Sequence, residues 1–422
     1  MDSITVYQPP PRPRPGRELA AALLRRPATW ALLVTLLAFG LRVVALAGVP
    51  PGWRDDELIE TLVVSQKILD GDLRFYYPDA SGHEALYHAL NALFLAWFGP
   101  TAPGIRLLSA FLGTLAVPLT YAVGRRLFGA AVGLTAAGLL AVSFWGLMYS
   151  RVGIRHVTTP VMALAAFGFF WQAMARTTAH RPPTADRRPP TEQSTRPHEH
   201  QQRLAVVRRP SSVVLFAAAG LFLGLGFHSY FASRGAPLIP AAFVVYLALV
   251  APWALRGRWR GLLVMAGVAA LTAAPLYLAI AAQPAAEARV GELALPLVEA
   301  RAGDFGRLLD HAAAALGMAH AAGDPEWLYN VPGRPIFGVL GAAAFWLGVA
   351  LAGWWVALAV RNRVSRRKPG FAGRRDQAAA FLLLWWLIGI SPTVLSVPPA
   401  SLGHAILAQP AFFLLAALPV AA

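Results

Sequence analysis

The chain has no cysteine, which excludes disulfides, thiolate nucleophiles and cysteine-ligated metals. It is also poor in charge. Only 14% of its 422 residues are Asp, Glu, Lys or Arg, where a soluble domain carries about a quarter. No phosphate loop of the Walker type and no dinucleotide fingerprint occurs, which argues against an ATP-driven machine. No cleavable signal is evident, because the first apolar run is too long for a signal core and lacks a small-residue cleavage site.

Apolar runs make up the rest: 57% of the residues are hydrophobic. Runs long enough to cross about 30 Å of hydrocarbon recur along the whole length. The net charge of +16 does not signal nucleic acid, because the basic residues fall in short clusters between these runs. Such clusters mark the cytoplasmic ends of membrane spans. The expected fold class is therefore all-α: a polytopic transmembrane helical bundle of about ten spans, with a first outer loop carrying juxtamembrane helices.

Residues 1–27 read as a basic cytoplasmic tail, disordered and rich in Pro and Arg. Residues 28–175 follow as an N-terminal core containing the first outer loop, 49–104. Residues 176–211, full of Pro, Arg, His and Thr, read as a disordered cytoplasmic linker. Residues 212–422 hold the remaining spans, with an outer loop over 282–334. The run Ala85–Gly99 is short and interrupted by His88 and Asn91, so it is expected to be an interfacial or re-entrant helix rather than a span. With that choice, most of the 37 Lys and Arg fall inside and most of the 21 Asp and Glu outside. The last residues are apolar, so either the helix ends the protein or the sequence is cut short there.

Five outer segments carry groups capable of chemistry. Trp53-Arg-Asp-Asp-Glu57 places three adjacent carboxylates after the first span. Their mutual repulsion leads to the expectation of one carboxylate able to take a proton from a hydroxyl; the bland alternative is an acidic helix start. Tyr76-Tyr-Pro-Asp-Ala-Ser-Gly-His-Glu84 offers His83 and Glu84 as weak metal or phosphate candidates, against a capping box formed by Ser81 and Glu84. Tyr149-Ser-Arg-Val-Gly-Ile-Arg-His156 offers Arg151 and Arg155, whose donor forks suit phosphate; snorkelling is the alternative. His228 to Arg234 contributes Arg234, and Gly323 to Arg334 reads as a structured turn. His404 stands alone near the end.

In this order, the segments resemble the membrane glycosyltransferases of the GT-C class. They are most similar to the group of protein O-mannosyltransferases and aminoarabinose transferases, and within it to bacterial dolichyl-phosphate-mannose–protein mannosyltransferase-like members. SGHEALYHALNALFLAWFG is similar to the family's juxtamembrane helix. IRLLSAFLGTLAVPLTYAVGRRLFG and MYSRVGIRHVTTP follow it in family order. The resemblance implies a plasma-membrane, multi-pass glycosyltransferase with its N-terminus cytoplasmic and its site outside. It implies a polyprenyl-phosphate sugar donor, surrounding membrane lipid, an acceptor protein, lipid or glycan, and inversion at the anomeric carbon. Asp56 would be the base, and Glu57 would orient it or bind the acceptor. Arg151, Arg155, Arg234 and His404 would hold the donor phosphate, and Asp55, His83, Glu84, Tyr87 and His156 would line the substrate site. No cofactor is required, and a divalent metal is left open. Two positions depart from the family: Ala85 stands where relatives have Pro, and His404 where many have Arg. A flippase of lipid-linked saccharide, or an inactive relative, is the alternative.

Overall fold

A computed structural model describes residues 24–79, 82–176, 211–283, 293–364 and 375–421. The expected tail and linker lie largely outside these residues, as does Ser81. Among them, six helices are long and apolar enough to cross a membrane, or seven if one bent pair counts as a span. The expected ten is therefore only partly met. Three further expected spans coincide with apolar helices shorter than the usual spanning length: Pro27–Val43, Ser212–Phe227 and Ile406–Ala421.

The first helix, α1 (Pro27–Val43), starts with proline at a position where its missing N–H is not needed. A seven-residue π-helical segment, Asp56–Leu62, then runs into α2 (Val63–Leu69). Two short strands, β1 (Tyr76–Tyr77) and β2 (His83–Glu84), pair antiparallel, Tyr76 facing Glu84 and Tyr77 facing His83. They lead into α3 (Ala85–Phe98), which as expected is too short to span. The long helix α4 (Ala102–Phe128) is capped by the Thr101 hydroxyl.

The bent pair is α5 (Ala130–Val142) and α6 (Phe144–Arg151), which meet at 56°. Ser143 breaks the helix and restarts it, accepting the amide of Gly146 at 3.0 Å. The break exposes carbonyls at the end of α5, and the fully buried Arg42 of α1 answers one of them, donating to Ala141 O at 3.1 Å and to Ser150 Oγ at 3.0 Å. Arg151 returns the arrangement. It donates to Leu41 O, Val44 O and Val49 O, closing the end of α1. Cations belong at helix C-termini, where carbonyls lack partners.

The remaining helices are α7 (Thr158–Ala175), α8 (Ser212–Phe227), α9 (Leu238–Val250), α10 (Trp259–Ala281), α11 (Leu295–Arg301), α12 (Gly306–Gly317), α13 (Val339–Val364), α14 (Arg375–Leu395) and α15 (Gln409–Ala417). α8 lies against α10 so closely that a Cβ on Gly220 would sit 2.3 Å from Met265 O, and one on Gly224 2.5 Å from Thr272 Cβ. This small-xxx-small face lets two backbones touch where lipid gives no hydrophobic drive. Every residue of α15 is buried, so this apolar helix forms part of the interior of the bundle.

Candidate functional site

The acidic run after α1 divides as soon as it folds. Asp55 is exposed, Asp56 is half-buried at the start of the π-helical segment, and Glu57 is fully buried. Glu57 meets Arg106, a buried arginine in the first turns of α4, with Nε–Oε1 at 2.6 Å and Nη2–Oε2 at 2.9 Å. The same carboxylate accepts the amides of Arg54 and Gly153, each at 3.0 Å. Arg106 also donates to the carbonyls of Leu46, Pro50 and Gly52. One ion pair therefore knits together the loop after α1, the start of α4 and the turn after α6. Paired and hydrogen-bonded, both charges are tolerable in the interior.

Arg106 carries no weight in the sequence reading, although it is the sole charge among the first twenty residues of α4. An ionisable group in an apolar helix is the signal that picks it out.

Glu84 precedes α3 but makes no side-chain cap there. Its carboxylate instead faces two arginines, Arg155 Nε at 3.4 Å and Arg234 Nη2 at 3.3 Å. Arg155 also donates to Gly82 O at 3.2 Å and lies over the Tyr230 ring at 5.6 Å. Thus β2, the turn before α7 and the turn after α8 place two cations on one acid. Arg151 is not part of this group, since its guanidinium closes the end of α1. Tyr87 is fully buried, bonded to Ser109 at 2.7 Å on the α4 side.

Beside the arginines is an aromatic group. The His156 ring lies 3.8 Å from that of Tyr230, 5.8 Å from Tyr149 and 6.3 Å from Tyr329, while Tyr149 stacks on Tyr329 at 5.6 Å. Gly403 closes the floor: a Cβ there would meet Tyr149 Oη and His156 Cδ2, each at 3.2 Å. The Tyr149 hydroxyl and His156 Nδ1 are buried and make no hydrogen bond within the fold. Tyr149 is within electrostatic reach of both Asp56 and Asp324. His404 is within reach of His156 and shares a 2.8 Å bond with Ser396 Oγ. The candidate base, two arginines, His156 and His404 thus gather with three tyrosines that the sequence reading did not assign.

The segment Gly323–Arg334 covers this group and is a structured turn, as expected. Asn330 Nδ2 donates to Asp324 O at 3.0 Å and Arg334 O at 2.8 Å, and Arg54 lies over the Trp327 ring at 4.9 Å. Asp324 accepts the amides of Glu326 at 2.9 Å and Leu402 at 2.7 Å, tying the turn to the segment that carries Gly403. Burial pushes its carboxyl above the usual range, partly offset by those two amides. Among the described residues, no three His, Cys, Asp or Glu side chains come together as a metal site.

No family model and no curated protein matches the chain. Solved structures do. The archaeal oligosaccharyltransferase AglB from Archaeoglobus fulgidus, in complex with an inhibitory peptide and a dolichol-phosphate, matches 93% of this chain and 50% of its own. The TM-score is 0.55 at 17% identity. The apo oligosaccharyltransferase from the same organism matches the same shares with a TM-score of 0.51 at 15% identity. The chain shares its fold with these structures. This chain spans about half the length of those structures. The all-α membrane bundle expected from the sequence is thereby met at the level of fold, while the GT-C and mannosyltransferase likenesses rest on the sequence motifs. ArnT from Cupriavidus metallidurans, bound to undecaprenyl phosphate, matches with a TM-score of 0.49 at 16% identity, over 96% of this chain and 60% of its own.

Proposed function

We propose that the chain is a glycosyltransferase that moves a sugar from a polyprenyl-phosphate donor to an acceptor hydroxyl or amine on the extracytoplasmic side of the plasma membrane, with inversion. The observation that carries this reading is an aromatic group that links a half-buried carboxylate, Asp56, in electrostatic reach of Tyr149, to Arg155 over the Tyr230 ring, and whose Tyr149 hydroxyl and His156 Nδ1 have nothing to bond within the fold. The shared fold supports it, since AglB was solved with a dolichol-phosphate.

In this reading Asp56 takes the acceptor's proton as the acceptor oxygen or nitrogen bonds to the anomeric carbon. The bond from that carbon to the phosphate oxygen breaks, and charge builds on the leaving phosphate. Arg155 and Arg234 face that phosphate, which competes with Glu84 for their donors. Such fixed cations are worth most where water is scarce. The aromatic faces and the two unmet polar atoms receive the sugar ring. His404 is within electrostatic reach of His156, and Asp55 is exposed beside Asp56. Glu57 holds Asp56 in place and touches no substrate, and Arg151 shapes the loop that carries both.

The test is transfer in liposomes containing a polyprenyl-phosphate hexose, wild type against Asp56→Asn. Loss of a general base costs about 10²–10⁴ in rate, so Asp56→Asn is expected to fall by that factor. Equal rates in the two proteins would remove Asp56 from the chemistry. Donor movement between leaflets without any transfer, in wild type and variant alike, would favour a flippase.

A further inference from the structure

The buried face of α3 carries two polar side chains for which the fold provides nothing. His88 and Asn91 are both fully buried. Neither ring nitrogen of His88 and neither amide atom of Asn91 has a hydrogen-bond partner. Only the His88 backbone is answered, its carbonyl accepting from Ser65 Oγ at 3.2 Å. A buried polar group left without a partner is costly. Several in one place point to a missing water or ion.

The surroundings favour an ion. The ring of the fully buried His83 lies 5.5 Å from that of His88, nearly perpendicular at 84°. Two imidazoles on one tetrahedral zinc, with bonds of about 2.0–2.1 Å, set their ring centres about 5 Å apart. Asn91 follows His88 by three residues, the spacing that puts two helical side chains on one face. Its buried, unbonded carbonyl oxygen is the candidate third ligand. An imidazole pair completed by an amide oxygen is a set that transition metals take, whereas magnesium and calcium prefer oxygen alone.

We propose that His83, His88 and Asn91 bind a divalent transition-metal ion of the zinc class, apart from the transfer chemistry. The ion fastens β2 to α3. Because Glu84 follows His83 directly, it also fixes the carboxylate that faces Arg155 and Arg234. The site is structural, and it stands whether or not sugar transfer is the activity.

The test uses the full chain in detergent, with zinc itself as the probe. After exposure to zinc and removal of loose metal, wild type is expected to retain about one zinc per chain more than His88→Gln. Added zinc raises the melting temperature of wild type and leaves that of His88→Gln unmoved. Stripped wild type loaded with cobalt(II) shows the visible absorption of a four-coordinate ion, a reading that needs no variant to fold. Equal zinc content and equal thermal response in the two proteins would overturn the site. A featureless cobalt spectrum from wild type would overturn it too, and both are what a buried water would give.

Discussion

Neighbouring acids in the run after α1 should separate cleanly when replaced. Glu57→Leu leaves the Arg106 guanidinium, 1% exposed, without its counter-charge and strips the acceptor from the amides of Arg54 and Gly153. Removing one partner of a buried pair costs about 3–5 kcal/mol. Each amide left unanswered adds about 1–3 kcal/mol. These terms overlap, so a loss of about 5 kcal/mol is the working figure. That is a large part of the roughly 5–15 kcal/mol that stabilises a typical domain. Asp56→Asn, at a half-buried position, keeps size and most hydrogen-bonding capacity and should move stability by about 1 kcal/mol or less. The assay is unfolding in mixed micelles followed by tryptophan fluorescence, run beside the transfer assay. The double variant Glu57→Leu/Arg106→Met should be more stable than the sum of the singles by about 1–3 kcal/mol, since it removes both charges. A Glu57→Leu protein as stable as wild type, or an Asp56→Asn protein equally damaged, would refute the division of labour between these two carboxylates.

Other perturbations test separate parts of the arrangement. Gly220→Val drives a side chain into Met265 O and should cost about 1–3 kcal/mol by overpacking, read as a lower melting temperature; an unchanged value would mean that α8 and α10 do not pack this way. Gly403→Ala puts a methyl 3.2 Å from Tyr149 Oη and His156, and transfer should weaken while melting moves little. A fully active variant would take the aromatic group out of the site. The Asp324 carboxyl is raised by burial, so its contribution is fully present below the unfolded carboxyl pKa of about 3.9 and is lost as pH rises through the native value. The melting difference between Asp324→Asn and wild type should therefore shift toward the variant with rising pH and then level off, and a flat or opposite trend would contradict it. For orientation, Trp327→Cys should react with an impermeant maleimide from outside and Arg125→Cys only from inside, in a background free of other thiols. The reverse labelling would invert the proposed sidedness.

Much of the membrane architecture is legible in the sequence because a long apolar run has few ways to satisfy its backbone. The shortness of the helix Ala85–Phe98 was legible in its apolar length and its interruption by His88 and Asn91. The short helices were harder. Pro27–Val43 was expected to continue through Gly48, yet the chain turns at Val44, where Arg151 collects the carbonyls. That stop is set by a residue more than a hundred positions away, which local pattern cannot show. The same holds for the acids. Asp55, Asp56 and Glu57 look alike in sequence, and what distinguishes Glu57 is Arg106 on another helix. Arginine type alone did not separate Arg151, bound to carbonyls, from Arg155, facing a carboxylate. The tyrosines were passed over because aromatic residues near membrane interfaces are common.

The distribution of buried arginines also bears on the choice between moving a lipid-linked sugar across the membrane and reacting with it at one face. Ionisable groups inside a bundle usually mark a pathway. Here Arg42 and Arg151 each close the end of a broken or short helix, and Arg106 neutralises Glu57 while holding a loop. These three are occupied in building the fold and do not form a track. Arg155 and Arg234 differ, since both face one carboxylate, Glu84, beside the aromatic group. An anionic phosphate can replace that acid without new cations entering the interior. Glu84→Gln should accordingly tighten binding of a polyprenyl phosphate measured without any sugar, because the competing charge is gone and the arginines remain. Weaker binding by Glu84→Gln, with its melting temperature intact, would show that the acid helps to hold the phosphate rather than to reserve its place.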